Sequence, residues 1–168
     1  MKTATFWIAT LAIFGVVNAL IASKERSIRT GTTMYLELAP VDPRSLMQGD
    51  YMALRYAIGR TAVGQGHRPP HHGQLVVRLD EKQVGHFVRF HRGEPLAERE
   101  HLLRYRLRNG EPEIGPGAFF FQEGHAQHYA QAQYGELKVG ETGESVLVTL
   151  RNADFSLAGS PSSVNTAK

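Results

Sequence analysis

This sequence predicts a mainly β domain, a compact β-sandwich or partly open barrel with one short helix, preceded by a single N-terminal transmembrane helix. Three observations carry that prediction. Residues 3–22 contain no charged side chain. Later segments alternate apolar and polar residues with the period of two that half-buried strands require. Between them lie Asn-Gly, Pro and Asp-rich clusters that reverse a chain. A chain of 168 residues suits one domain plus an appendage. The pattern divides it into an anchor and basic linker at 1–29, a β-rich domain at 30–152, and a disordered tail at 153–168 rich in Ser, Ala, Gly and Pro.

Twenty residues at helical rise span about 30 Å, the thickness of a bilayer's hydrocarbon core. Only Thr3, Thr5, Thr10 and Asn18 are polar there, so no wet stripe marks a soluble helix. Lys2 followed by an apolar run and Val17-Asn18-Ala19 also fits a signal peptide cut after Ala19, but the run continues through Ala22, and retention as a signal-anchor is expected. Lys24, Arg26 and Arg29 favour a cytoplasmic carboxyl side. The short basic leader resembles an export signal, and long domains translocate whatever their flanking charge. The expected placement is therefore single-pass with an extracytoplasmic domain.

Charge excludes other classes. Residues 1–29 hold four Lys or Arg and one Glu, the whole of the net charge of +3, whereas residues 30–168 hold 15 basic and 15 acidic side chains. A neutral domain lacks the basic stripe of a nucleic-acid binder; the basic cluster after the anchor suits lipid headgroups. The absence of cysteine removes disulfides, thiolate metal sites and a cysteine nucleophile.

Along the domain, Met34, Leu36 and Leu38 alternate with Thr33, Tyr35 and Glu37 as a half-buried strand. Residues 38–58, LAPVDPRSLMQGDYMALRYAI, form the centre of the pattern. Pro43 extends Asp42, Gly49 is free to take positive φ, and a compact turn follows. From Tyr51 the strand places Met52, Leu54, Tyr56 and Ile58 on the core side and Tyr51, Ala53, Arg55 and Ala57 on the other. Asp50, Tyr51 and Arg55 are then available to a partner, or Asp50 caps the turn and Tyr51 covers a core edge. Residues 59–73, with four glycines and two prolines, read as a mobile loop. Leu75, Val77 and Leu79 begin a hairpin that resumes at Val84. Leu103, Tyr105 and Leu107 point inward opposite Arg104, Arg106 and Arg108, a solvated face, before Asn109-Gly110 turns the chain. Phe119-Phe120-Phe121 reads as a buried strand or its entrance, residues 123–133 as one short helix with Ala126, Tyr129 and Ala130 on one face, and residues 134–151 as a hairpin.

Gly49-Asp50-Tyr51, Leu54 and Tyr56 resemble the motif of the GDYxxLxY proteins. The block FFFQEGHAQHYAQAQYGELKV at 119–139 is similar to that family's second block, with Glu123, Gly124, Tyr129, Tyr134 and Gly135 on matching positions. The similarity reaches from the anchor, through PVDP at 40–43, to about Arg151. It implies a membrane-anchored bacterial domain at the inner membrane, facing the periplasm, and carries no assigned chemistry.

Three chemistries compete with a binding role. Among eight histidines, His125 and His128 lie one helical turn apart near Glu123, and His67, His71 and His72 share a loop, but no complete ligand set appears and no metal is expected. Ser45-Leu46 before Gly49-Asp50 looks like part of a signal peptidase, yet Val41 stands where the catalytic serine would be; Lys82 alone, as a base without its nucleophile, cannot transfer an acyl group. Carboxylates near Asp50 and Glu123 would divide acid and base duties only at a suitable separation. The expectation is an accessory or interaction module for another envelope or inner-membrane protein, with no cofactor. Its candidate surface is Asp50, Tyr51, Arg55, Glu123, Tyr129 and Tyr134, over a structural motif of Pro43, Gly49, Leu54, Tyr56, Gly124 and Gly135.

Overall fold

The computed structural model describes residues 2–39, 51–64 and 69–159. Helix α1 (Lys2–Thr30) leads directly into β1 (Thr32–Glu37), followed by β2 (Tyr51–Ala53) and a helix α2 (Ala57–Gly64). Then come β3 (His72–Leu79), β4 (Gly85–Phe90), β5 (Glu100–Arg108), β6 (Glu111–Ile114), β7 (Ala118–Phe120), the single helical turn α3 (Ala126–Tyr129), β8 (Tyr134–Val139) and β9 (Ser145–Arg151). Among the described residues, no helix is long and apolar enough to cross a membrane.

The strands make a three-stranded sheet β1-β8-β9, a four-stranded sheet β4-β3-β5-β6 and a two-stranded ribbon β2-β7, so the fold is mainly β. The inward residues are those the period of two selects: Met34 and Leu36, then Leu75, Val77 and Leu79, then Leu103 and Tyr105, are all buried in one core with Leu137, Val139 and Ile114. The two larger sheets face each other across that core and are joined at both sides. Tyr35 bridges Val84 in parallel, its N–H donating to Gln83 O at 2.9 Å, and Arg104 N–H donates to Gly143 O at 2.8 Å in the β8–β9 turn. The result is a half-barrel. Asn109 and Gly110, at φ +51° and +82°, make the tight β5–β6 reversal their sequence demands.

Four expectations change. The stretch 59–73 is not all loop, and the domain has a second short helix: α2 occupies its start, burying Ile58, Gly59 and Ala62. Its glycines disguised it. Gly59 is there for close packing rather than for a turn, since a Cβ at that position would stand 2.5 Å from Pro112 O on β6. Val76 is buried together with Leu75 and Val77, against simple alternation, where the pairing of β3 with β4 shifts register between Val76 and Val77 as at a β-bulge. Residues 153–159 fold back on the domain: Leu157 bridges Arg151, and buried Ala158 donates to Leu150 O at 3.0 Å. Residues 123–133 form one helical turn rather than a longer helix, with Ala126 and Tyr129 half-buried and Ala130 exposed.

On the outer face of the four-stranded sheet, Glu100 has a side chain only 2% exposed and ties three segments together. It accepts from Arg89 Nη1 at 3.0 Å on both oxygens, from Arg78 Nη2 at 3.2 Å and from the Ala97 N–H at 3.0 Å. The Ala97 N–H, with Arg89 and Arg78 after it, holds the Glu100 carboxyl below the usual carboxylate range despite burial. A lowered folded-state pKa contributes stability above the unfolded-state value of about 4.3, lost as pH falls through the folded value. Glu100→Gln is therefore expected to lower the melting temperature clearly at about pH 6, with the difference from wild type shrinking steadily on acidification. A difference independent of pH would refute this role.

Candidate interaction surface

Strand β2 carries the alternation expected of it. Tyr51 and Arg55 are exposed, while Met52, Leu54 and Tyr56 are buried. The strand itself is short, ending at Ala53; Tyr56 is held as an isolated bridge to Leu38, and Ile58 reaches the core from α2 rather than from a strand. Pro43, Gly49 and Asp50 lie outside the described residues, as do Val41, Ser45 and His67.

Pairing with β7 decides what Tyr51 touches. The register sets Tyr51 opposite Phe120, Met52 opposite Phe119 and Ala53 opposite Ala118. Phe119 therefore shares the inward face with Met52, and Phe120 shares the outward face with Tyr51. The two outward rings lie 5.8 Å apart, with Tyr51 38% and Phe120 74% exposed. The run of three phenylalanines is thus not uniformly buried. A short ribbon with one wet face turns the middle ring outward, and period-two alternation applied inside the run would have found Phe120.

The remaining candidates separate. Tyr129 belongs to a second core formed by Met52, Leu54, Leu150 and Ala158, where its ring meets Phe119 edge-on at 5.0 Å and stacks on Phe121 at 5.5 Å. Tyr134 stacks at 4.8 Å on Phe155, which also leans on Tyr35 at 5.2 Å. Phe155 escapes a reading by alternation because it holds a positive φ of 63° in a turn. Glu123 is exposed beside Gly124, whose φ of +80° leads the chain into α3. Among the described candidates, Tyr51 joins Phe120, Tyr129 is a packing residue, and Tyr134 is part of an aromatic trio with Phe155 and Tyr35.

The two similar sequence blocks meet in the core. A Cβ at Gly135 would stand 2.9 Å from Tyr56 Cε1 and 3.3 Å from its hydroxyl oxygen. Glycine at 135 makes room for the ring of Tyr56. Burial pushes the Tyr56 phenol well above its ordinary pKa, and its oxygen has no hydrogen-bond partner among the described residues. Leu54, in turn, is fixed by its N–H donating to Gly117 O at 2.9 Å. These three positions are scaffold.

Arg55 opens onto a cleft of about 490 Å³ bounded by residues 53–56, by Gly59 and Arg60 of α2, by the β5–β6 hairpin and by Gly117. Its walls carry Arg55, Arg60 and Arg108 together with Glu111 and Glu113. Arg108 Nη1 donates to Glu113 Oε1 at 3.4 Å, and Arg55 O accepts the Ala39 N–H at 2.7 Å. Another arginine of the β5 face, Arg104, is held by Glu144 at 2.8 Å and Thr142 O at 3.0 Å rather than solely by solvent. His125 and His128 meet edge-on with ring centroids 5.0 Å apart. Among the described residues, no three His, Asp or Glu side chains converge as metal ligands. Lys82 sits exposed in the β3–β4 turn.

Comparison with known proteins agrees with the two blocks. No curated protein and no solved structure matches the chain. The model of the family described as GDYXXLXY protein matches residues 13–150, which takes in α1 from Ile13 onward, both sequence blocks and every strand except the final residue of β9. With Tyr56 packed against Gly135 as the structural expression of that match, the chain belongs to the GDYXXLXY protein family.

Proposed function

We propose that this protein is an accessory or interaction module held in the inner membrane by α1, with the half-barrel on the extracytoplasmic side engaging another envelope or membrane protein. The observation that carries the interaction reading is the Tyr51–Phe120 pair. Two large aromatic side chains stand outward on a short ribbon, where folding leaves them accessible and aromatic anchors are enriched in protein interfaces.

The anchor reading rests on α1. Exposed apolar side chains occur on opposite sides of the helix, Leu11, Phe14 and Ile21 on one and Ile13, Val16 and Leu20 on another. Asn18 satisfies its amide within the helix by donating to Phe14 O at 2.8 Å, as a lipid-facing polar group must. Described side chains run uncharged from Thr10 to Ala22, about 20 Å of helix, and the sequence extends the run to Thr3, about 30 Å.

A photocrosslinking amino acid at Tyr51 or Phe120, compared with one at Lys82, tests the reading in intact cells. One dominant crosslinked membrane or envelope protein at the first two positions and not at Lys82 is the expected result, with the full chain resisting alkaline extraction from membranes. The same crosslinks at all three positions, or release of the intact chain into the supernatant, would overturn it.

A further inference from the structure

We infer that the arginine-lined cleft beside β2 receives a carboxylate-bearing extended segment of a partner polypeptide. This rests on the interaction-module reading and assigns chemistry to one end of the contact face. Tyr51, Ala53 and Arg55 alternate to the same side of the chain, and Ala53 and Arg55 line the cleft. The outward face therefore runs from the Tyr51–Phe120 rings, over the small Ala53–Ala118 pair, into the cleft. Two alanines leave a shallow floor between an aromatic anchor and a cationic pocket.

The charges in the cleft are arranged unequally. Arg108 is paired with Glu113, but neither Arg55 nor Arg60 has a hydrogen-bonded or ion-paired side chain among the described residues. Both are exposed. Their backbones are fixed, Arg55 by the Ala39 hydrogen bond and Arg60 within α2, whose Gly59 packs against Pro112. Two guanidiniums rising from a rigid rim suit a carboxylate, which accepts from both in charge-assisted bonds.

The acidic wall selects among oxyanions. Glu111 and Glu113 repel a multiply charged phosphate, whereas a peptide presents backbone N–H donors to those carboxylates while its own acidic side chain meets the arginines. The cleft has a volume of about 490 Å³, within the range of pockets that take drug-sized ligands. It accommodates a length of chain rather than one bare ion.

The test uses the full chain in detergent micelles and a dye-labelled, end-blocked peptide, Ala-Phe-Ala-Asp-Ala-Asp, read by fluorescence anisotropy. Saturable binding is expected, with Asn in place of both Asp weakening it by about tenfold or more, the loss of charge-assisted hydrogen bonds. Arg55→Gln and Arg60→Gln should each weaken it similarly, while Lys82→Gln, an equal loss of charge outside the cleft, leaves it within about twofold. Thermal melts matching wild type verify that these exposed substitutions leave the fold intact. Absence of binding, an equal effect of Lys82→Gln, or displacement of the peptide by inorganic phosphate at matched concentration would each overturn the assignment. Crosslinks from Tyr51 that persist in Arg55→Gln alongside such a result would discard the cleft and retain the interaction module; loss of specific crosslinks in the wild type would discard the module itself.

Discussion

Gly135→Ala is expected to destabilise the domain by roughly 1–3 kcal/mol, although it adds a single methyl group to a strand. The methyl would lie 2.9 Å from Tyr56 Cε1 and 3.3 Å from Leu147 Cδ1. Tyr56 cannot swing aside cheaply: its ring is in the main core, and its backbone is bridged to Leu38. The cost must then appear as a displaced β8 or an off-rotamer ring. Shortening the obstructing side chain should recover part of it, so Tyr56→Leu combined with Gly135→Ala is expected to be less destabilised than the sum of the singles by about 0.5–3 kcal/mol. Tyr56→Phe alone removes a buried hydroxyl without a partner among the described residues and should be neutral or stabilising by about 1 kcal/mol. Urea unfolding of the four variants supplies the comparison. Strict additivity would show that the two blocks do not meet as described.

Leu54→Ala should have the largest effect of any substitution in the β2 segment, roughly 2–5 kcal/mol. Leu54 is in the second core with Met52, Leu150 and Ala158, and Phe119 and Tyr129 pack against that cluster, leaving little slack to collapse into the cavity. Tyr51→Ala and Phe120→Ala remove only an exposed cross-strand pair and should each cost less than about 1 kcal/mol. A crosslinking or capture assay should show the opposite ranking, with the two aromatic substitutions abolishing partner contact in a stable protein. Equal destabilisation by Leu54→Ala and Tyr51→Ala would place Tyr51 in the scaffold and remove the proposed anchor.

The sequence by itself determined which side is apolar in β1, in the β2 segment and in β5, because alternation is written there residue by residue: Met34 and Leu36, Leu54 and Tyr56, Leu103 and Tyr105 are buried where the period of two puts them. It determined the Asn109-Gly110 reversal, whose positive φ values are a property of those two residues. Only the tertiary structure decided which apolar residues meet. Pairing of β2 with β7 is a long-range event, and it turns Phe120 outward with Tyr51 while sending Phe119 inward to Tyr129. The same applies to Gly59, which reads locally as part of a loop, and to Gly135, which lies within a strand: they serve the close approach of Pro112 and Tyr56 from distant segments. The Arg55 cleft was not legible at all, since its walls come from β2, α2 and the β5–β6 hairpin. Local periodicity specifies a residue's face; the identity of what covers that face is set by chain segments that no local pattern connects.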